Sequence, residues 1–121
     1  MGRLAIVFSL LAVLALLSIR LYVKEGDKEA FWDSWARDWE EAIQLDTDEM
    51  DRMSKVIPLF GLREGETVLD AGCGTGTLIP FLLKEVGRSG CVYGLDLSQE
   101  MLQGARQKHY DGNVSFLKAD V

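Results

Sequence analysis

The sequence predicts an α/β fold built on a doubly wound parallel sheet. Three observations carry that expectation. Between Glu66 and Asp120, short apolar runs alternate with helical stretches in the order β-α-β-α-β, and parallel neighbours need such helical crossovers. A glycine-rich turn, Gly72-Cys73-Gly74-Thr75-Gly76, follows the first run directly. An acid stands at or near the end of each run: Asp70, Asp96 and Asp120. In a doubly wound sheet the C-terminal strand ends border the ligand crevice.

The chain has 121 residues, enough for one modest domain. It begins with "LAIVFSLLAVLALLSIRLYV", Leu4 to Val23, in which Arg20 is the only charge. Twenty helical residues span about 30 Å, the thickness of a bilayer's hydrocarbon core. Arg20 can snorkel to the headgroups and Tyr22 suits the interface. The run ends without a small-x-small cleavage site and shows no polar face, so residues 1–23 read as an uncleaved transmembrane anchor. Cations are heavier on its C-terminal flank (Arg20, Lys24, Lys28) than on its N-terminal one, which places the following domain in the cytoplasm.

Residues 24–61 read as a helical cap segment. In "KEAFWDSWARDWEEAIQL", Phe31, Trp32, Trp35 and Trp39 recur at three- and four-residue spacing. Trp35, Trp39 and Ala42 continue one helical face. That stripe either packs on the domain or forms a lid over a cationic ligand. In "DTDEMDRMSKVIPLFGL", Asp46 or Thr47 is the expected N-cap, Met50, Met53, Ile57 and Phe60 share one face, and Gly61 is the stop. Pro58 kinks this helix or ends it early.

Residues 62–121 hold the alternating part. "ETVLDAG" is a short apolar run, as a buried parallel strand requires. "TLIPFLLKEV" is helical, with Pro80 tolerated in its first turn. "CVYGLDL" is a second strand, "SQEMLQGARQKHY" a helix capped by Ser98, and "VSFLKAD" a third strand.

The formal net charge is −6 and no Lys/Arg cluster occurs, which argues against a nucleic-acid partner. Acids gather between Glu25 and Asp51, as on a solvated helical face. Two cysteines, Cys73 and Cys91, and the single His109 are too few for a disulfide framework or a zinc site. No metal is expected, and the cysteines read as small buried residues.

A glycine-rich strand-to-helix turn first suggests a dinucleotide. The NAD fingerprint is G-x-G-x-x-G, but here the third glycine comes one residue early and Thr77 holds the fingerprint position. Asp70 also lies two residues before the first glycine, where its charge is unfavourable to a pyrophosphate and favourable to an ammonium or sulfonium. A P-loop is excluded because no Gly-Lys-Ser/Thr follows.

"VLDAGCGTG", "VYGLDLS" and "VSFLKAD" resemble, in order and spacing, the first three signature segments of class I S-adenosylmethionine-dependent methyltransferases. They are most similar to the small-molecule group that includes ubiquinone/menaquinone-biosynthesis C-methyltransferases. "FWDSWARDWE" is similar to a segment upstream in that group. The resemblance, covering Phe31 to Val121, implies a Rossmann-like sheet truncated after its third strand, S-adenosylmethionine as cofactor, and a small or lipid-like methyl acceptor. It implies that Asp70, Gly72, Cys73 and Gly74 hold the methionine part and that Gly76 allows close helix packing. It further implies that Asp96 accepts from both ribose hydroxyls, that Leu97 packs on adenine, and that Asp120 and the Val121 N–H meet the adenine edge. Plainer roles stand beside these: Asp70 as a turn cap, Asp96 as a helix cap, Asp120 as a surface strand end and Leu97 as core. No catalytic residue is marked, since methyl transfer rests on alignment and exclusion of water. A catalytically inactive, truncated cofactor-binding or interaction module is the alternative function. Oligomeric state is not encoded in any motif.

Overall fold

The computed structural model describes residues 4–8, 28–45 and 47–120. The elements run β1 (Leu4–Phe8), α1 (Lys28–Leu45), α2 (Thr47–Val56), a 3-10 turn (Ile57–Phe60), β2 (Thr67–Ala71), α3 (Ile79–Val86), β3 (Cys91–Asp96), α4 (Gln99–Arg106) and β4 (Val114–Lys118). Four parallel strands form one sheet in the order β1-β2-β3-β4. The expected β-α-β-α-β unit is therefore β2 to β4.

β1 corrects the reading of the N-terminus. Leu4 to Phe8, expected as the start of a membrane helix, form a strand whose Cα partners run from Leu4↔Thr67 to Phe8↔Ala71. A short apolar run satisfies a buried parallel strand as well as a helix. Residues 9–23 lie outside the described residues, as do Asp46 and Val121. Among the described residues no helix is long and apolar enough to cross a membrane.

The local signals explain the other boundaries. Pro58 sits in the 3-10 turn that ends α2, and Gly61 closes it at φ 64°, donating its N–H to Pro58 O. Pro80 occupies the first turn of α3, where its missing N–H has no intrahelical partner to lose. Ser98 caps α4 by accepting from the Met101 N–H at 3.1 Å. The core joins the sheet to α3 and the 3-10 turn through Ile57, Val68, Leu78, Ile79, Leu82, Leu83, Val86 and Val92. Each such side chain contributes about 1.5–3 kcal/mol by leaving water.

Two helical faces differ from expectation. In α1, Trp32, Asp33, Ala36, Trp39, Glu40 and Ile43 are among the half-buried positions, whereas Trp35 is 48% exposed and Ala42 is exposed. In α2 and its continuation, Ile57 is buried and Met53 packs on the core, but Met50 and Phe60 are exposed. The 3-10 winding after Val56 changes the angular step per residue, so a single α-helical period does not run through Phe60.

Candidate functional site

The site forms where the C-terminal ends of β2 and β3 meet. After Ala71 the chain doubles back: the Gly72 and Cys73 N–H groups both donate to Leu95 O, at 2.7 and 3.0 Å. The turn closes through the Gly76 N–H to Cys73 O at 2.9 Å and leads into α3. Gly72, Gly74 and Gly76 have φ of 77°, 53° and 79°, a region that side-chain-bearing residues rarely adopt. At Gly76 a Cβ would also stand 2.4 Å from the Tyr110 hydroxyl and 3.3 Å from Ala105 Cβ. The turn therefore needs glycine there both for its path and for the approach of α4.

Asp96 ends β3 and faces this turn. Its Oδ2 accepts the Gly74 N–H at 2.7 Å and its Oδ1 accepts the Ser98 N–H at 2.9 Å. The carboxylate thus braces both the glycine turn and the start of α4. Two accepted bonds leave further lone pairs free, so ribose hydroxyls can still donate to it. Burial raises its pKa above the ordinary carboxylate value, opposed by the Ser98, Gly74 and Leu97 N–H groups.

Asp70, one residue before the end of β2, is wholly buried, and neither carboxylate oxygen has a hydrogen-bond partner. It caps nothing. Burial, and secondarily the Asp96 carboxylate, pushes it from 3.8 up to about 7. Two acids here point to a ligand with positive charge. The Cys73 thiol, buried and beside both acids, is held well above its ordinary pKa, which makes it a packing residue rather than a nucleophile. Its Sγ lies 2.9 Å from where a Gly94 Cβ would stand.

Leu97 is half-buried after β3, open enough to offer a face to a flat ring. Asp120 is exposed, two residues beyond β4. The Ala119 N–H donates to Asp96 O at 3.0 Å, which keeps Asp120 at the same sheet edge. The structure thus brings Asp70, the three glycines, Cys73 and Asp96 together, with Leu97 and Asp120 along the rim.

One residue escaped the sequence reading. Asp33 Oδ1, from α1, accepts the Ser98 hydroxyl and, at 3.2 Å, the Glu100 N–H. It ties α1 to the start of α4, and the Lys108–Glu40 ion pair at 2.9 Å ties α1 to the turn just beyond α4. α1 also lies near the glycine turn, since a Cβ on Gly74 would stand 3.7 Å from Trp39 Nε1. Nothing in the local sequence marks Asp33, because its partners are 65 and 67 residues away. An open cleft of about 500 Å³ runs between α1 and α4, lined by Ala36, Arg37, Glu40, Thr75 and Gln103 among others. It touches the glycine turn at Thr75, but neither Asp70 nor Asp96 lines it.

A bare backbone turn, a bracing carboxylate at the next strand end and a buried acid beneath the turn fit the methionine and ribose parts of S-adenosylmethionine. Residues 68–121 match the family described as "Methyltransferase domain". The likeness is to class I S-adenosylmethionine-dependent methyltransferases, and it supports S-adenosylmethionine as the ligand of this site. Among relatives, a ubiquinone/menaquinone biosynthesis C-methyltransferase of Pseudomonas paraeruginosa is 44% identical over 69 residues, which are 54% of this chain and 27% of that protein. A 2-phytyl-1,4-naphtoquinone methyltransferase of Trichormus variabilis is 37% identical over 65 residues, 50% of this chain and 28% of that one. The crystal structure of a SAM dependent methyltransferase from Aquifex aeolicus aligns with a TM-score of 0.50 and 41% identity, over 56% of this chain and 38% of that chain. The chain spans only about a quarter of the length of these two curated relatives.

Proposed function

We propose that this chain is the cofactor-binding portion of a methyltransferase that methylates a small, lipophilic, quinone-type acceptor. The observation that carries the reading is the convergence of Asp70, Gly72–Gly76 and Asp96 at one sheet edge. When bound, S-adenosylmethionine supplies an electrophilic methyl group on a sulfonium. Asp96 holds the ribose end through its free lone pairs while keeping the turn in shape through Gly74. The glycine backbone admits the methionine arm, and Leu97 and Asp120 hold the adenine. α1, tied to the start of α4 by Asp33 and lying near the glycine turn at Trp39, is placed to limit water at the bound donor. These residues orient a donor and keep it dry, which is the protein's main contribution to this displacement.

The acceptor class rests on the names of the relatives, and the net charge of −6 with no Lys/Arg cluster in the sequence does not favour a nucleic acid. Incubation with methyl-labelled S-adenosylmethionine and either a naphthoquinol, a catechol or a primary amine tests it. Label in the organic phase with the naphthoquinol supports the proposal, and label on the amine alone contradicts it. A position at the cytoplasmic face of a membrane belongs to the same proposal. Protease treatment of sealed vesicles tests that placement: digestion from the cytoplasmic side supports it, and protection contradicts it.

A further inference from the structure

We infer that a lipid bilayer and the sheet compete for Leu4–Phe8. Entry of the N-terminal run into a membrane strips β1 from β2 and opens the outer edge of β2 to another parallel strand. This rests on the membrane placement proposed above.

The competition follows from length. Leu4 to Val23 is a run of twenty residues with one charge, Arg20. As a helix it reaches about 30 Å, the thickness of the hydrocarbon core. In the structure β1 takes five of those residues, Leu4–Phe8, into the sheet. Residues 9–23 remain, and fifteen helical residues reach only about 22 Å. That is about 8 Å short of the core, so a spanning helix has to draw on Leu4–Phe8. A lone strand cannot follow the helix into lipid, because its N–H and C=O groups would lose their partners there. Leu4–Phe8 therefore bond either to β2 in water or within a helix in the bilayer. "LAIVF" suits both states, being apolar throughout and free of glycine and proline.

β1 is also the strand that the sheet gives up most readily. Among the described residues it stands at the edge, with β2 as its one neighbour. Single helices, α3 and α4, close the β2–β3 and β3–β4 connections, whereas residues 9–66 separate β1 from β2, and a longer loop costs more entropy to close. Its position matters because β3 and β4 lie on one side of β2. In a doubly wound order the fourth strand takes the other side. Leu4–Phe8 hold that side, in register as far as Val7↔Asp70 and Phe8↔Ala71, at the strand end that leads into the glycine turn. While β1 is in place no other strand can join β2, and once the bilayer has taken it one can.

Amide hydrogen exchange, read by mass spectrometry on the 121-residue chain, tests this in buffer and on vesicles of phosphatidylcholine and phosphatidylglycerol. In buffer, Thr67–Ala71 and Cys91–Asp96 are expected to be protected alike, since each strand is paired on both sides. On vesicles, exchange at Thr67–Ala71 should quicken at least about tenfold as β2 loses its outer partner, while Cys91–Asp96 keeps its protection. A second chain carries five leucines inserted between Phe8 and Ser9. The insertion gives the bilayer its full length without drawing on β1, so Thr67–Ala71 should stay protected on vesicles. A wild-type chain that binds vesicles with unchanged exchange at Thr67–Ala71 overturns the inference and leaves the membrane placement standing. Equally fast exchange in both vesicle-bound chains overturns the length argument and the inference with it. A chain that does not bind the vesicles overturns both the inference and the membrane placement, and leaves the methyltransferase reading untouched.

Discussion

Asp70 makes a prediction about stability that needs no ligand. A carboxylic acid whose folded-state pKa is raised remains protonated in the fold while its unfolded counterpart has already ionised. Between 3.8 and about 7 the native state therefore binds more protons than the unfolded state, and stability falls as pH rises through that window. The gap, at about 1.4 kcal/mol per pH unit, corresponds to roughly 4 kcal/mol as a ceiling. Asp96 is raised as well and acts in the same direction. Asp70→Asn removes the ionisable group and keeps its shape. Urea unfolding, followed by the fluorescence of Trp32, Trp35 and Trp39, gives the stability of both proteins at pH 5 and pH 8. The Asn variant is expected to gain about 1–3 kcal/mol relative to wild type on going from pH 5 to pH 8, because only the part of the window above pH 5 is crossed. Parallel pH profiles for the two proteins would refute the reasoning, because they would mean that Asp70 ionises alike in the folded and unfolded chain.

Further expectations come from the packing around the site. Gly94→Ala places a Cβ 2.7 Å from Phe116 Cδ1 and 2.9 Å from Cys73 Sγ, and should cost about 1–3 kcal/mol in urea unfolding through overpacking. Leu82→Ala empties a fully buried position of the core and should cost about 2–5 kcal/mol in the same assay. Asp33→Ala removes the acceptor that α1 offers to the Ser98 hydroxyl and the Glu100 N–H. Amide exchange at Glu100 should then quicken, with a stability loss of about 1–3 kcal/mol. Unchanged exchange there would show that α1 is not held through this contact.

The β2-α3-β3-α4-β4 part was legible because each boundary carries its own chemistry. Pro80 and Ser98 mark helix starts, and the glycine turn separates strand from helix. The acids at Asp70 and Asp96 could be placed from strand order alone, since the C-terminal ends of parallel strands share one edge. What strand order could not give is their different surroundings. Asp70 is orphaned and Asp96 is doubly bonded, a contrast that depends on how the turn folds back onto Leu95. β1 was misread because five apolar residues carry no period that separates strand from helix. On α1, Trp39 lies on the packed side as expected, but Trp35 and Ala42 are exposed. The packed side also holds half-buried polar groups, Asp33 and Glu40, whose partners on and just beyond α4 no local pattern marks.

The central claim is that Gly72–Gly76 and Asp96 form a site for S-adenosylmethionine. It is tested most directly by titrating the chain with S-adenosylmethionine, S-adenosylhomocysteine and NAD, and repeating the titration with Asp96→Ala, whose fold is checked by circular dichroism. Saturable binding of the first two ligands and none of NAD is expected, with affinity lost by at least about tenfold, or about 1.4 kcal/mol, in Asp96→Ala, as for losing hydrogen bonds to a charged group. Binding of NAD alone, or undiminished S-adenosylhomocysteine binding in a folded Asp96→Ala, would contradict it.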